Sequence, residues 1–338
     1  MVTSRGNIIS IETSRKDASK QVVPDLNGRR DKPVNIPTLS SPLRRWVDIV
    51  MGNASLFASI ATVVMVFAFA FLLYYKAFPI FRTHTLGNLL FTSEWLPSEG
   101  KFGFLNFIIG TIWVTALSMI IAVPPSVLTA LYLIEYAPQW VRNIMEPVVD
   151  LLAGIPSVVY GVWGVVVIVP FVRNLSSHFP GTSSTGYSVL AGGIVLALMI
   201  VPIMVSVMQE VLRTTPIGLR EASLAVGATR WETTKYVVSR HAAGGLVAAG
   251  IMALSRAFGE TMAVLMVVGG NQPVAPKTVF DTAYPLPALI ANNYGEMMSI
   301  RLYDAALMMS AIILLAVVFA THIIARLVIR RMTRGGAE

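Results

Sequence analysis

AGGLVAAGIMALSRAFGETMAVLMVV, residues 243–268, is nearly unbroken apolar sequence with an arginine and a glutamate near its middle. At about 1.5 Å per residue, a helix of this length crosses a bilayer core of ~30 Å with some tilt. An ionised side chain at that depth costs at least ~2.5 kcal/mol, so Arg256 and Glu260 must face protein or water rather than lipid. Their spacing puts both on one helix face, one turn apart, where Glu260 can brace the Arg256 guanidinium. A braced arginine suits a passing oxyanion, and the same pair also reads as a structural ion pair pinning this helix to a neighbour. Ala249, Ala253 and Ala257 recur every fourth residue, and Gly245, Gly250 and Gly259 add bare backbone. That pattern admits another helix at close range, so the stretch is buried in a bundle or lines a passage.

The rest of the composition belongs to the same solvent. Hydrophobic residues make up 55% of the chain and charged residues only 13%, about half the charge of a soluble protein of this length. Mean hydropathy is +0.68. With no cysteine, disulfides, thiolate catalysis and cysteine metal sites are excluded, and His84, His178, His241 and His322 lie too scattered for a metal site.

Six apolar runs read as spans: 55–75, 106–133, 145–169, 189–212, 243–268 and 303–325. The expected architecture is an all-α integral membrane protein of six transmembrane helices. Residues 1–45 are polar and basic, cannot bury a core, and read as a disordered tail that is no cleaved signal peptide. Residues 46–102 hold the first helix and an outer segment, 103–330 the core, and 331–338 a short tail. Six crossings put both termini on one side. Placing the termini in the cytoplasm gives 19 Lys and Arg inside against 6 outside, with Arg256 alone within the membrane. The formal charge of +8 therefore marks topology rather than nucleic-acid binding.

Prolines 124, 125, 156 and 202 fall inside three of these runs and predict kinks. In GIPSVVYGVWG, residues 154–164, Ser157 and Tyr160 carry hydroxyls that could line a polar path, while the glycines admit close packing.

The connection 213–241 is the one inner loop with internal organisation. Thr215 followed by Pro216 predicts the start of a short helix that Gly227 ends. Thr229 and Glu232 form a capping box that starts a second helix. The hairpin presents Leu219, Leu224, Val226 and Trp231 beside Arg220, Glu221 and Arg230. It reads either as an interfacial element anchored by Trp231 or as a docking knob for a soluble motor.

Glu221, Ala222, Ser223 and, after three residues, Gly227 resemble the EAA loop of ABC-importer permeases, although Ser239 and Arg240 replace that motif's closing Leu-Pro. SRAFGETMAV, residues 255–264, together with GIPSVVYGVWG, resembles the permease subunits of phosphate-specific ABC importers, closer to the PstC type than to its PstA partner. The resemblance covers roughly residues 103–330. It implies a type I ABC-importer permease architecture at a prokaryotic inner membrane. It also implies a homologous PstA-type permease, two PstB-type ATP-binding subunits and an external PstS-type phosphate-binding protein as partners.

On that resemblance, Arg256 and Glu260, with Ser157, Tyr160 and Thr261, belong to the phosphate pathway. Arg220, Glu221, Ala222, Gly227, Arg230 and Trp231 belong to coupling. The chain has no G-x-x-x-x-G-K-[ST], so it carries no P-loop and no cofactor of its own; ATP and Mg would sit on the partner ATPases. Another oxyanion importer, or an anion transporter or channel running without ATP, stands as the alternative. An intramembrane enzyme lacks a His or Asp paired with a nucleophile.

Overall fold

The computed structural model describes residues 42–179, 184–270, 273–295, 300 and 302–334. The chain divides into two units, residues 1–64 and 65–338. Of the first unit the described part is the opening of α1 (Pro42–Phe81), whose apolar side chains there are exposed. Such a helix is stable only in hydrocarbon. Its start at Pro42 puts the expected boundary at residue 45 inside the helix, and the tail 1–41 lies outside the described residues.

The second unit follows in the order α2 (Leu86–Phe91), a two-stranded ribbon of β1 (Trp95–Leu96) and β2 (Lys101–Phe102), and α3 (Leu105–Tyr136). Then come α4 (Gln139–Ala153), α5 (Ser157–Ser176), α6 (Val189–Arg213) and α7 (Ile217–Ala225). The chain closes with α8 (Arg230–Gly259), α9 (Met262–Val268), α10 (Leu286–Asn293) and α11 (Tyr303–Arg334). Among the described residues six helices, α1, α3, α5, α6, α8 and α11, are long and apolar enough to cross a membrane. Four of the six expected spans sit where the apolar runs put them, with longer ends, while the fifth begins earlier, at Arg230, and ends at Gly259.

The third span is displaced. Expected at 145–169, it runs instead from Ser157, and α4 is a separate helix before it. Gly154 ends α4, and Pro156, which lacks an N–H and disfavours helix at the residue before it, serves as the N-cap of α5 rather than as a kink. Asp150 therefore lies on α4, outside the span. Prolines 124, 125 and 202 do sit inside helices, α3 and α6.

The most buried span is α6, which packs along α3 and against α8. Leu196, Ile200, Met204 and Met208 on α6 meet Ala249, Ala253 and Ala257 of α8 in one core, so the alanine repeat is the packing stripe that its spacing predicts. Gly164 shows how tight the bundle is: a Cβ there would lie 2.7 Å from Val195 and 2.8 Å from Val267. A second core gathers at the end of the bundle where α10 sits. Trp95 stands edge-on to Phe102, Phe104, Phe107 and Tyr303, at 5.5, 5.4, 5.0 and 6.0 Å. The Leu286 N–H donates to Thr111 at 2.9 Å, tying α10 to α3.

Candidate functional site: a broken helix and a braced hairpin

The stretch 243–268 is not one helix. The backbone leaves the helix at Glu260 (φ −75°, ψ 122°), and after Thr261 it re-enters as α9. Glycine and threonine flanking the break are weak helix formers. The Glu260 carboxylate accepts the Ala263 N–H at 3.4 Å, satisfying a donor that the break exposes. The expected brace from Glu260 to Arg256 is therefore absent: the break turns Glu260 toward the start of α9, and Arg256 remains on the last turn of α8. Among the described residues Arg256 makes no side-chain hydrogen bond or ion pair, and it is exposed.

Arg256 shares its exposed stripe with Ala248, Met252 and Gly259, about 100° around the helix from the packed alanines. Gly250 and Gly259 meet nothing within 4 Å, whereas Gly245 packs on Val211. The arginine thus stands exposed on the last turn of α8, where its guanidinium is open to an anion, water or another subunit. Thr261 reaches back to the Gly259 carbonyl at 3.3 Å, inside the break itself. Glu260 opens onto a cavity of about 10 Å³ shared with Thr111 and Thr115, near the lower limit for one water.

Ser157 and Tyr160 stand on the first turn of α5, which packs against the opening of α9: a Cβ at Gly161 would lie 3.2 Å from the Ala263 Cα. The Tyr160 hydroxyl donates to the Leu152 carbonyl at 3.0 Å, strapping α5 to the end of α4. The groove beside it is apolar, formed by Leu152, Val159, Trp163 and Leu198 among others.

At the inner-loop end the hairpin forms nearly as expected. Its first helix begins at Ile217 with Pro216 as the N-cap residue, one position later than Thr215 predicts. Gly227 ends the turn in the left-handed region (φ 88°), and the Thr229 and Glu232 capping box is complete. The second helix has no separate end: it is the beginning of α8, running unbroken into the fifth span. Ser223 and Thr233 hydroxyls join the two arms at 2.9 Å.

The two arginines assigned to docking turn inward instead. Arg220 donates to Glu135 at 2.9 and 3.2 Å, to the Thr215 carbonyl at 2.6 Å and to the Leu212 carbonyl at 3.2 Å. Glu135, in the last turn of α3, is 8% exposed. Arg230 donates to the Glu135 carbonyl, and its guanidinium lies over the Tyr136 ring at 5.1 Å. A buried carboxylate needs a partner, and Arg220 supplies one by placing two N–H groups on the single oxygen Oε1 of Glu135. The hairpin is thereby joined to the ends of α3 and α6 and is continuous with α8. Left facing outward are Glu221, Ala222, Leu224, Val226 (84% exposed) and Trp231 (58% exposed). Glu135 was passed over in the sequence; its signal was a lone acid at the close of an apolar run.

The profile of the family described as "Binding-protein-dependent transport system inner membrane component" matches residues 122–334. The probable ABC transporter permease protein YqgH of Bacillus subtilis (strain 168) is 38% identical over 276 residues, covering 80% of this chain and 87% of that protein. The phosphate transport system permease protein PstC of Xylella fastidiosa (strain 9a5c) is 37% identical over 262 residues, covering 73% and 80%. Among solved structures, a chain of a bacterial alginate ABC transporter, in complex with an alginate pentasaccharide-bound periplasmic protein, superposes with a TM-score of 0.56 at 17% identity, covering 86% of this chain and 98% of that one. A chain of the MetNI methionine ABC transporter, inward facing, does so at 0.50 and 20% identity, covering 66% and 93%. These structural likenesses bear on the fold.

Proposed function

The chain belongs to the binding-protein-dependent transport system inner membrane components, and on that footing we propose that it is the PstC-type permease of an ATP-driven phosphate importer. It forms half of the translocation passage, beside a homologous PstA-type permease. Two PstB-type subunits bind ATP and Mg, and a PstS-type protein delivers phosphate from outside. Both termini face the cytoplasm, in accord with the distribution of Lys and Arg. The chain itself carries out no covalent chemistry.

The observation that carries this reading is the hairpin 214–241. It exposes an apolar knob on one side and on the other is fastened by Arg220 and Arg230 to Glu135. A knob held in this way passes force to three spans at once. Closure of the motor on Leu224, Val226 and Trp231 would shift α3, α6 and α8 together, switching the passage from outward to inward facing. Arg256, unpaired on the open face of α8 near the break, compensates phosphate charge and donates paired hydrogen bonds, with Thr261 beside it. Glu260 acts by shaping the break. Binding without a bracing carboxylate stays loose enough to release.

The test is co-purification of the chain with its genetic neighbours followed by ATPase measurement. Hydrolysis stimulated by phosphate-loaded binding protein supports the reading. Transport by the chain alone without ATP, or stimulation by a different oxyanion only, overturns it.

A further inference from the structure

Ser255 and His322 join two spans beside Arg256, in a contact that the transport reading does not use. The Ser255 Oγ lies 2.6 Å from the His322 Nε2 and 2.8 Å from the Ile251 carbonyl, one turn back on α8. On the far side of the imidazole, Nδ1 lies 2.8 Å from the Val318 carbonyl, one turn back on α11. A carbonyl only accepts, so Nδ1 carries a proton, and in the neutral ring Nε2 accepts the Ser255 hydroxyl. The result is a continuous strut from the backbone of α8 to the backbone of α11. Each side chain is also tied to its own helix, so neither end swings. Among the described residues this is the one side-chain hydrogen bond between the two spans, which otherwise meet through apolar packing.

The place of the strut gives it a consequence. At about 100° per residue, Ser255 and Ala257 flank Arg256 on either side of the helix. Ala257 is buried in the core that α8 shares with α6, and Ser255 is held by His322. The arginine therefore projects from a turn fixed on both flanks. That turn needs fixing, because it is the last before the break and no further helical turn continues it. Gly259, at its end, meets nothing within 4 Å, so nothing steadies it there. Without the strut, only the Ala257 flank would hold the arginine's direction.

We propose that His322 is a positioning residue: through Ser255 it sets the rotation of the last turn of α8, and with it the direction in which Arg256 presents its guanidinium. The consequence for phosphate rests on the reading of Arg256 as the anion's contact. The strut itself does not depend on which anion is carried.

The experiment has two arms, both on the assembled complex in vesicles. In the first, Arg256→Cys is labelled with a small water-soluble maleimide, the natural chain having no cysteine. Adding His322→Leu or Ser255→Ala, both compatible with an apolar helix, should change the labelling rate about fivefold, the equivalent of one hydrogen bond. Adding His322→Gln, whose amide can meet the Ser255 hydroxyl, should restore it. In the second arm Arg256 is kept and phosphate uptake is followed. His322→Leu should raise the KM for phosphate about fivefold at an unchanged maximal rate, Ser255→Ala should match it, and the double variant should be no worse than either. Equal labelling with His322 and with His322→Leu overturns the proposal. So does a lowered maximal rate at unchanged KM, which a simple pin between helices would give, or losses that add in the double variant. Labelling involves no phosphate, so a natural complex that carries none would sink the transport reading while the first arm still decides the role of His322.

Discussion

Arg220 and Glu135, 85 residues apart in the chain, meet at 2.9 Å and fasten the hairpin to the end of the second span. Removing one partner strands a buried charge, at a cost of about 3 kcal/mol, whereas removing both with apolar residues of similar size is nearly neutral. Arg220→Met is therefore expected to lower the unfolding midpoint of the purified complex and to abolish phosphate-stimulated ATPase. Arg220→Met with Glu135→Leu should recover the midpoint. Equal midpoints for the single variant and the natural chain would show that the pair does not hold the hairpin.

Gly227 tests the turn of the same hairpin in isolation from packing. A Cβ there meets nothing within 4 Å, so substitution acts through φ 88° alone. Gly227→Ala should cost about 1 kcal/mol and Gly227→Asn less, read as increased proteolysis of the loop and weaker ATPase coupling in that order. A Val variant as well coupled as the natural chain would contradict a turn that coupling requires.

The outward face of the hairpin should matter to the motor and not to the fold. Glu221→Lys and Trp231→Ala alter exposed side chains. Both are expected to leave membrane insertion and thermal stability unchanged, within about 0.5 kcal/mol, while reducing co-purification of the ATPase subunits. Unaltered ATPase recovery from both would leave Trp231 as an interfacial anchor instead.

In the loop between α9 and α10, burial raises the Asp281 carboxyl's pKa, but backbone hydrogen bonds from Thr278 and Lys277, both at 2.8 Å, outweigh it and hold the pKa below its ordinary 3.8. A group depressed on folding stabilises at pH above its unfolded value and loses that contribution as pH falls through the folded one. Asp281→Asn should therefore loosen this loop at neutral pH, seen as faster amide exchange at Lys277 and Thr278. The difference from the natural chain should fade only as pH drops below about 3.8. A difference that persists unchanged under acid would assign the effect to shape rather than charge.

Much of the fold was legible because hydropathy over a long window is a strong signal: α6, expected at 189–212, is observed at Val189–Arg213. Capping chemistry was equally readable at Thr229 and Glu232. Direction of side chains was not. Periodicity places Arg220 on a helix but cannot say that a carboxylate 85 residues away will draw it inward. Nor does apolar length reveal a break. The run 243–268 is long enough for one helix, and only the local conflict at Gly259, Glu260 and Thr261, weak formers beside a carboxylate able to cap, divides it. Pro156 misled for the opposite reason, since a proline between two apolar segments starts a helix as readily as it bends one.

The account rests on Arg256 meeting the transported anion from the open face of α8. The direct measurement is uptake of labelled phosphate by the assembled importer in vesicles carrying Arg256→Gln or Arg256→Lys, each at natural expression level. Loss of the charge-assisted hydrogen bonds to the passing anion predicts uptake reduced by about tenfold or more with Gln, and partial activity with Lys, which keeps the charge but not the paired donors. Phosphate uptake by Arg256→Gln at the rate of the natural complex would contradict it.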